Sequence, residues 1–519
     1  QFTESVSGIA AGDFSNQGTA TGCSFTPSAS SGTVITVAVD SCSEGTVVLR
    51  LASGSVTDTA GNTGPASNTD ASSVTIDRTA PGASWTEPSS PTNASSLSYT
   101  LQFTESVSGI AAGDFSNQGT ATGCSFTPSA SSGTTITVTV SSCSEGTVVA
   151  RLASGSVTDT AGNTGPASNT DSSSVTIDRT APDATLTAPS SPTNDSSLSY
   201  TVTFTESVTG LQAGDFSISG TASGWAVDSI TGSGSSYTVV LTGGGEGTVG
   251  LTLGSASVTD AAGNNGPTSN VAASLVTVDR TAPSVVSFTT ATTSPSNTTS
   301  LSYTLQFSSS VTGLTAGDLS VGGTATGWSI SSVSGSGSTY TVNLTASSPT
   351  DGTVYPILAQ NSVVDAASNA GPLSSANGTS ISIDRTAPTV SSFTTAESSP
   401  SNKATLSYTL QFSESVSGLT TGDLSVGGTA TGWSVDSVSG ETYTVTLTAS
   451  SPTDGTVYPI LAQNSITDAA TNTGPASAAN GTTITIDRTK PTVSSFTTTE
   501  NSPSNKTSLS YTLTFSESV

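Results

Sequence analysis

Residues 198–204 read LSYTVTF, and this stretch decides the fold class of the hundred residues around it. Its apolar side chains occupy every second position and alternate with serine or threonine. A period of two is typical of a β-strand that has one buried face and one solvent face. The stretch therefore predicts a half-buried strand. Residues 237–241 repeat the alternation, residues 247–258 repeat it less regularly, and residues 275–278 predict a further short strand.

Clusters of Gly, Ser, Asn and Pro separate these predicted strands, and such clusters are typical of turns. No segment combines helical periodicity with capping residues. About seven short strands in a hundred residues, with turn signals between them, indicate an all-β immunoglobulin-like sandwich. The abundant Ser and Thr are then the solvent faces of strands, and a disordered or glycosylated stalk is the less favoured interpretation.

The hundred-residue pattern recurs along the chain. The string IDRTAP, or a near copy, begins at Ile76, Ile177, Val278, Ile383 and Ile486, at intervals of 101, 101, 105 and 103 residues. This period matches one small β-domain rather than a solenoid unit. We expect a tandem array with boundaries at 1–77, 78–178, 179–279, 280–384, 385–487 and 488–519. Because both ends fall inside a repeat, we also expect the chain to be part of a longer array.

Charge and composition argue against several classes of function. The chain has 36 acidic and 10 basic residues, a net charge of −26, and no histidine. A surface this acidic does not suit nucleic acid or anionic membranes. Without histidine there is no Ser-His-Asp triad and no histidine base, and no Gly-rich loop leads into a helix. No apolar run is long enough to span a bilayer, so we expect neither an enzyme nor membrane insertion by this segment.

Four cysteines occur as two pairs, Cys23 with Cys42 and Cys124 with Cys143, each 19 positions apart. In later repeats the first member of the pair is replaced by Trp225, Trp328 and Trp433. Because the two members of a pair appear and disappear together, the pattern predicts two disulfides within domains. Free buried thiols are the alternative. Disulfides persist in oxidising compartments, which favours an extracytoplasmic location.

The ordered set of motifs resembles the tandem bacterial immunoglobulin-like repeats of large surface adhesins and biofilm proteins. The set consists of the linker IDRTAP, the strand end FTES or FSES followed by VSG or VTG, the turn AGDF or AGDL, and the loop TDAAGN. It recurs along essentially the whole chain. The resemblance implies an extracellular rod, often stiffened by calcium at the domain junctions.

Acidic residues recur at four places in each repeat, which in the third are the linker Asp178, the strand end Glu206, the turn Asp215 and the loop Asp260. In an immunoglobulin-like sandwich the strands that end at Glu206 and Asp260 run toward the pole where the preceding linker enters. The four carboxylates should therefore meet at a domain junction, where they would repel without a cation. Calcium takes six to eight oxygen ligands, and Asn264 offers another.

The predicted ligands of all repeats are the residues at the same positions as these acids and Asn264. They are Glu4, Asp13, Asp58, Asn62, Asp77, Glu105, Asp114, Asp159, Asn163, Asp178, Glu206, Asp215, Asp260, Asn264, Asp279, Asp318, Asp365, Asn369, Asp384, Glu414, Asp423, Asp468, Asn472, Asp487 and Glu517. The fourth repeat has Ser309 where the others have glutamate, so we expect its site to hold an ion less tightly and to act as a hinge. Magnesium is a weaker candidate because it prefers to keep its waters.

Local roles for the same acids stay open. The loop aspartate could only form a turn, and the linker aspartate could pair with the adjacent arginine, as Asp178 with Arg179. A fifth recurring acid precedes a glycine at Glu44, Glu145, Glu246, Asp351 and Asp454, and a turn role is favoured there.

The sequence thus predicts a structural extension of a bacterial cell-surface adhesin, a calcium-stiffened rod whose partners are its neighbouring repeats. One alternative is a segment of a self-assembling extracellular filament or sheath, in which lateral copies are partners. Another is a glycan-binding array, which would need exposed aromatic side chains.

Overall fold

The computed structural model describes residues 1–519, and its regular secondary structure is almost entirely β-strand. The predicted fold class is confirmed, because the strands of each full repeat pair into antiparallel sheets in an all-β, immunoglobulin-like arrangement. The chain forms two compact units. One contains Gln1–Ser190 and Ser196–Val276, and the other contains Ser191–Asp195 and Thr277–Val519.

The second repeat shows the sheet arrangement. Its first sheet is centred on the long strand Ser96–Ser108, which pairs with Ala83–Thr86, Ser132–Ser141 and Val157–Asp159. In the second sheet, Ala150–Leu152 lies between two short strands, Phe115–Asn117 and Thr170–Asp171. The short strand Gly146–Val148 pairs with Val175–Ile177, directly before the linker.

The alternation in the sequence places one face of each long strand in the core. Leu198, Tyr200, Val202 and Phe204 are all buried, whereas Ser199, Thr201 and Thr203 are exposed. Tyr200 is fully buried, and removing a large side chain from water contributes roughly 1.5–3 kcal/mol to folding. The predicted half-buried strand is confirmed as part of Ser197–Thr209.

The first three repeats each have one 3-10 turn, and the third has single long strands, Ala226–Thr242 and Gly247–Leu253, where the first two have several shorter ones. The first contains Val6–Ser7, the 3-10 turn Ala11–Asp13, Phe14–Asn16, Ser24–Pro27, Ser31–Gly32, Val37–Asp40, Gly45–Val47, Leu49–Leu51, Val56–Asp58, Thr63–Gly64, Thr69–Asp70 and Val74–Ile76. In addition to the strands already named, the second contains the 3-10 turn Ala112–Asp114 and the strands Ser125–Pro128 and Thr164–Gly165. The third contains Ala184–Thr187, Ser197–Thr209, the 3-10 turn Ala213–Asp215, Phe216–Ser219, Ala226–Thr242, Gly247–Leu253, Val258–Asp260, Asn265–Gly266, Val271–Ala272 and Val276–Val278.

The later repeats keep this order. The fourth contains Val285–Thr290, Ser300–Thr312, the 3-10 turn Ala316–Asp318, Leu319–Gly323, Trp328–Ala346, Gly352–Leu358, Val363–Asp365, Ala370–Gly371, Ala376–Asn377 and Ile381–Ile383. The fifth contains Val390–Thr394, Thr405–Phe412, the 3-10 turn Thr421–Asp423, Leu424–Gly428, Trp433–Ser439, Tyr443–Ala449, Gly455–Leu461, Ile466–Thr467, Thr473–Gly474, Ala479–Asn480 and Ile484–Ile486. Two strands follow, Val493–Thr497 and Thr512–Phe515.

Cysteine and tryptophan are alternative solutions at one position of the repeat. The structure joins Cys23 to Cys42 and Cys124 to Cys143, and no cysteine is free. In the third repeat Trp225 is buried there, and a side chain at Gly243 would collide with its ring. Trp328 and Trp433 also pack against hydrophobic cores. These tryptophans are therefore core residues and do not form an exposed platform for stacking sugars.

Candidate metal centres at the domain junctions

Strand pairing brings the glutamate at the strand end next to the loop aspartate. In the third repeat Val208 pairs with Asp260, which places Glu206 close to the end of the neighbouring strand. The second repeat has the same register between Val107 and Asp159. Because the two strands are antiparallel neighbours in one sheet, both acids lie at the pole where the preceding linker enters.

Hydrogen bonds and close packing fix the linker at this pole. The Nδ2 of Asn264 donates to the carbonyl oxygen of Asp178 at 3.0 Å. Further along the linker, Pro182 lies so close to Gly266 that a Cβ there would stand 2.1 Å from the Pro182 carbonyl oxygen. Glycine is therefore required at this position, and the linker aspartate is held against the following domain.

Three acid triads result, each with one linker aspartate, one strand-end glutamate and one loop aspartate. In each triad one carboxylate oxygen per residue lies within 4.8 Å of the others, and the groups are Asp77, Glu105 and Asp159; Asp178, Glu206 and Asp260; and Asp384, Glu414 and Asp468. The loop aspartates are buried and the other members are half-buried. The chemistry of this donor set, carboxylate oxygens without nitrogen or sulfur, could hold a metal ion that prefers oxygen ligands.

The triads perturb the ionisation of their members. Burial, followed by the charges of Asp178 and Asp260, raises the pKa of Glu206 above its ordinary value. Glu105 and Glu414 show the same direction, with burial again the largest cause. For Asp260, burial raises the pKa, but hydrogen bonds from Asn264 and the loop backbone outweigh it and lower the pKa overall. Burial and the neighbouring carboxylates thus both disfavour the ionised form of each triad glutamate.

The loop asparagine orients the triad as a hydrogen-bond donor. Asn264 donates its backbone N–H to Asp260 Oδ1 and its Nδ2 to Asp260 Oδ2, both at 2.8 Å. Asn163 and Asn472 make the same contacts with their own aspartates. The loop aspartate therefore forms a turn and also belongs to a triad. The local turn role and the place in an acid cluster, which the sequence left as alternatives, both describe it.

The structure does not bring the turn aspartates into the triads. In every repeat this carboxylate accepts a hydrogen bond from the backbone N–H three residues earlier, as Asp215 does from Gln212 at 2.7 Å. The residues concerned are Asp13, Asp114, Asp215, Asp318 and Asp423. Their carboxylates cap a 3-10 turn, and this local role takes them away from the triads.

The fourth repeat and the two incomplete ones form no triad. Asp279 and Asp365 lack a third acid partner, and Ser309 Oγ is buried there without a hydrogen bond. Asn369 still donates to Asp365 and to the carbonyl oxygen of Asp279, so the polar scaffold persists. The other predicted residues outside triads are Glu4, Asp58, Asn62, Asp487 and Glu517.

The acids that precede a glycine have a role that the sequence did not reveal. Glu145 accepts the backbone N–H of Arg179 at 2.7 Å and the hydroxyl of Thr180 at 3.1 Å. We call Glu44, Glu145, Asp351 and Asp454 the exit acids, because each makes both contacts with the linker that leaves its domain. They hold residues 34 positions away. In the sequence, only their constant spacing from the IDRTAP linker could have indicated these contacts.

The linker arginine faces the domain that precedes it. Arg179 donates to the carbonyl oxygens of Cys143 and Ala94, at 3.0 and 2.9 Å, and forms no ion pair with Asp178. The alternative in which the linker aspartate only neutralises its neighbour therefore does not describe this junction.

Comparison with known proteins identifies the family. The sequence profile of the bacterial Ig-like domain matches residues 178–276, 279–382 and 384–485, together more than half of the chain. The chain belongs to this family, and the resemblance seen in its sequence is confirmed. Comparison with curated protein sequences gives no significant match.

Among solved structures, the chain is similar to invasin, a bacterial integrin-binding protein. The identity is 14%, the TM-score is 0.30, and the match covers 81% of this chain and 82% of invasin. A crystal structure of the S-layer protein SbsC matches at 18% identity and a TM-score of 0.23, over 81% of this chain and 56% of that one. At these levels neither protein's binding nor its assembly can be transferred to this chain.

The helices of the structure are single 3-10 turns, and none has the length or apolar character that crossing a bilayer requires.

Proposed function

We propose that this chain is a non-enzymatic structural extension, or stalk segment, of a bacterial cell-surface adhesin. We further propose that calcium bound to the acid triads stiffens its domain junctions. The observation that carries the proposal is the recurrence of one triad in three repeats, always built from a linker aspartate and two acids of the following domain. A surface role alone would not require three carboxylates from distant positions to converge.

Calcium suits the triads better than other common ions. The donors are carboxylates with backbone and amide oxygens nearby, which is the ligand set that calcium takes in a flexible geometry. The chain has no histidine and no free thiol to select zinc or copper. Burial is the largest cause of the raised pKa of each triad glutamate, and the charges of its two acidic neighbours come second; a bound cation would offset that second contribution.

A location outside the cytoplasm is part of the proposal, and the two disulfides support it.

Linker residues are held from both sides, by Glu145 of the second domain and by Asn264 of the third. A cation at the triad would add a third attachment between the domains. Calcium would thereby resist bending at the junction.

The test is a calcium titration of the full chain with distance labels across the junction between the second and third domains. We expect calcium to narrow the distance distribution and a chelator to broaden it, while the sandwiches stay folded on their own cores. Magnesium at the same concentration serves as the matched control. If calcium leaves the distance distribution unchanged, the stiffening role is excluded.

Sedimentation of the same sample separates the stalk from the alternative of a self-assembling filament or sheath. A stalk segment should remain monomeric with and without calcium. Lateral association into large species would favour the filament, whose subunits need an interface of more than about 1,000 Å².

A further inference from the structure

The exit acid reaches the triad through one threonine of the linker. Thr180 donates its hydroxyl to Glu145, and its backbone N–H donates to Asp178 Oδ1 at 3.0 Å. Glu145 also accepts the N–H of Arg179 at 2.7 Å. Glu145 therefore holds both residues that follow Asp178, and one of them holds the Asp178 carboxylate.

The same arrangement occurs before the other two triads. Thr79 connects Glu44 to Asp77, and Thr386 connects Asp351 to Asp384. The exit acid is glutamate in the earlier repeats and aspartate in the later ones, yet both contacts persist. A carboxylate that only shaped its own turn would not need to reach the linker in each case.

We infer that the exit acid is a positioning residue for the junction cation site, so that each site depends on the domain before it as well as the domain after it. The inference rests on the proposed cation binding. The exit acids are outside the groups whose oxygens lie within 4.8 Å of one another, so they are not assigned as ligands. Glu145 acts through Thr180 by fixing the direction in which the Asp178 carboxylate points.

A second contact joins the loop of the exit acid to the linker in the first two repeats. The loop that carries the exit acid also contains a disulfide cysteine in these repeats. The carbonyl oxygen of that cysteine accepts a hydrogen bond from the side chain of the linker arginine.

The experiment uses the full chain and follows hydrogen exchange, by mass spectrometry, in the loops at 159–163, 260–264 and 468–472 during a calcium titration. Three variants change only the junction before the third domain: E145A removes both acceptor contacts, E145Q keeps an acceptor oxygen without the charge, and T180V removes the hydroxyl while keeping the N–H. The loops at 159–163 and 468–472 are internal controls, because their exit acids are unchanged.

We expect E145A to raise the calcium midpoint of the 260–264 loop about tenfold, equivalent to about 1.4 kcal/mol, and T180V to raise it about threefold. E145Q should stay within about threefold of the original chain, since its carbonyl oxygen still accepts a hydrogen bond. The two control loops should keep their midpoints, and the second domain should keep its protection without calcium.

Each other outcome overturns a defined statement. If the loops respond to calcium but E145A leaves the 260–264 midpoint unchanged, the positioning role is wrong while the cation site stands. If E145Q loses as much affinity as E145A, the charge of Glu145 acts on the ion directly and the positioning role is again wrong. If no loop of the original chain responds to calcium, the proposed function itself fails.

Discussion

Replacing Glu206 by glutamine should have opposite effects on the third domain with and without calcium. Without the cation, Glu206 repels Asp178 and Asp260, whose nearest oxygens lie within 4.8 Å. With the dielectric constant of bulk water, which gives the smallest repulsion for these half-buried groups, each pair costs about 0.9 kcal/mol before screening by salt. Screening at physiological ionic strength reduces the total for two pairs to about 1 kcal/mol. Glu206→Gln should therefore stabilise the calcium-free domain by about this amount.

With calcium present the sign reverses. A carboxylate at about 2.4 Å from a divalent ion attracts it by about 3 kcal/mol even in bulk-water dielectric, so its loss should weaken binding about a hundredfold. At a calcium concentration one hundred times the original Kd, binding stabilises the original domain by about 2.7 kcal/mol and the variant by only about 0.4 kcal/mol. The variant domain should then be less stable than the original by about 1 kcal/mol.

Hydrogen exchange of the strand at residues 198–204 measures both effects in the full chain, because its protection reports the opening free energy of the third domain. Asp228→Asn is the matched control, since Asp228 is exposed in the same domain and belongs to no triad. It should shift protection little under either condition. An effect of Glu206→Gln with the same sign in calcium and in chelator would refute the assignment of the triad as a cation site.

Three further results are expected. Ser309→Glu should restore a triad with Asp279 and Asp365, which calorimetry would detect as one more calcium bound per chain; an unchanged stoichiometry would show that glutamate at this phase does not limit binding. Since burial and neighbouring charges raise the pKa of Glu206, the calcium-free third domain should gain stability as the pH falls from neutral through that raised pKa toward the ordinary value of 4.5, and calcium affinity should fall over the same range. Removing the Cys124–Cys143 disulfide with paired alanines should destabilise the second domain by about 3 kcal/mol, as judged by its hydrogen exchange, whereas the cysteine-free third domain should be unaffected.

Much of the fold follows from local pattern alone. The alternation at 198–204 needs only the period of a strand, so its buried and exposed faces could be assigned before any tertiary contact was known. The family and the tandem organisation follow from repeated motifs in the same way. The disulfide pairing could be predicted because both cysteines of a pair are present in the first two repeats and both are absent from the later ones.

The candidate site was only partly readable, and the turn aspartate shows why. Asp215 and Glu206 recur with equal regularity, so the pattern of acids in the sequence does not separate them. In the folded domain the backbone N–H of Gln212 donates to the Asp215 carboxylate at 2.7 Å, and this short-range contact fixes the side chain. Glu206 has no such donor in its own strand and remains available to the linker.

The sequence by itself therefore determined the sandwich, its repetition and the set of acids that could meet, because these depend on periodicity along the chain. Only the tertiary structure decided which acids converge and which hold the linker. Glu145 and Thr180 are 35 positions apart, and Asn264 reaches the carbonyl oxygen of Asp178 across 86 positions. Contacts over such separations depend on how the sheets and the linker pack, and side-chain pattern within one strand or turn carries no information about that packing.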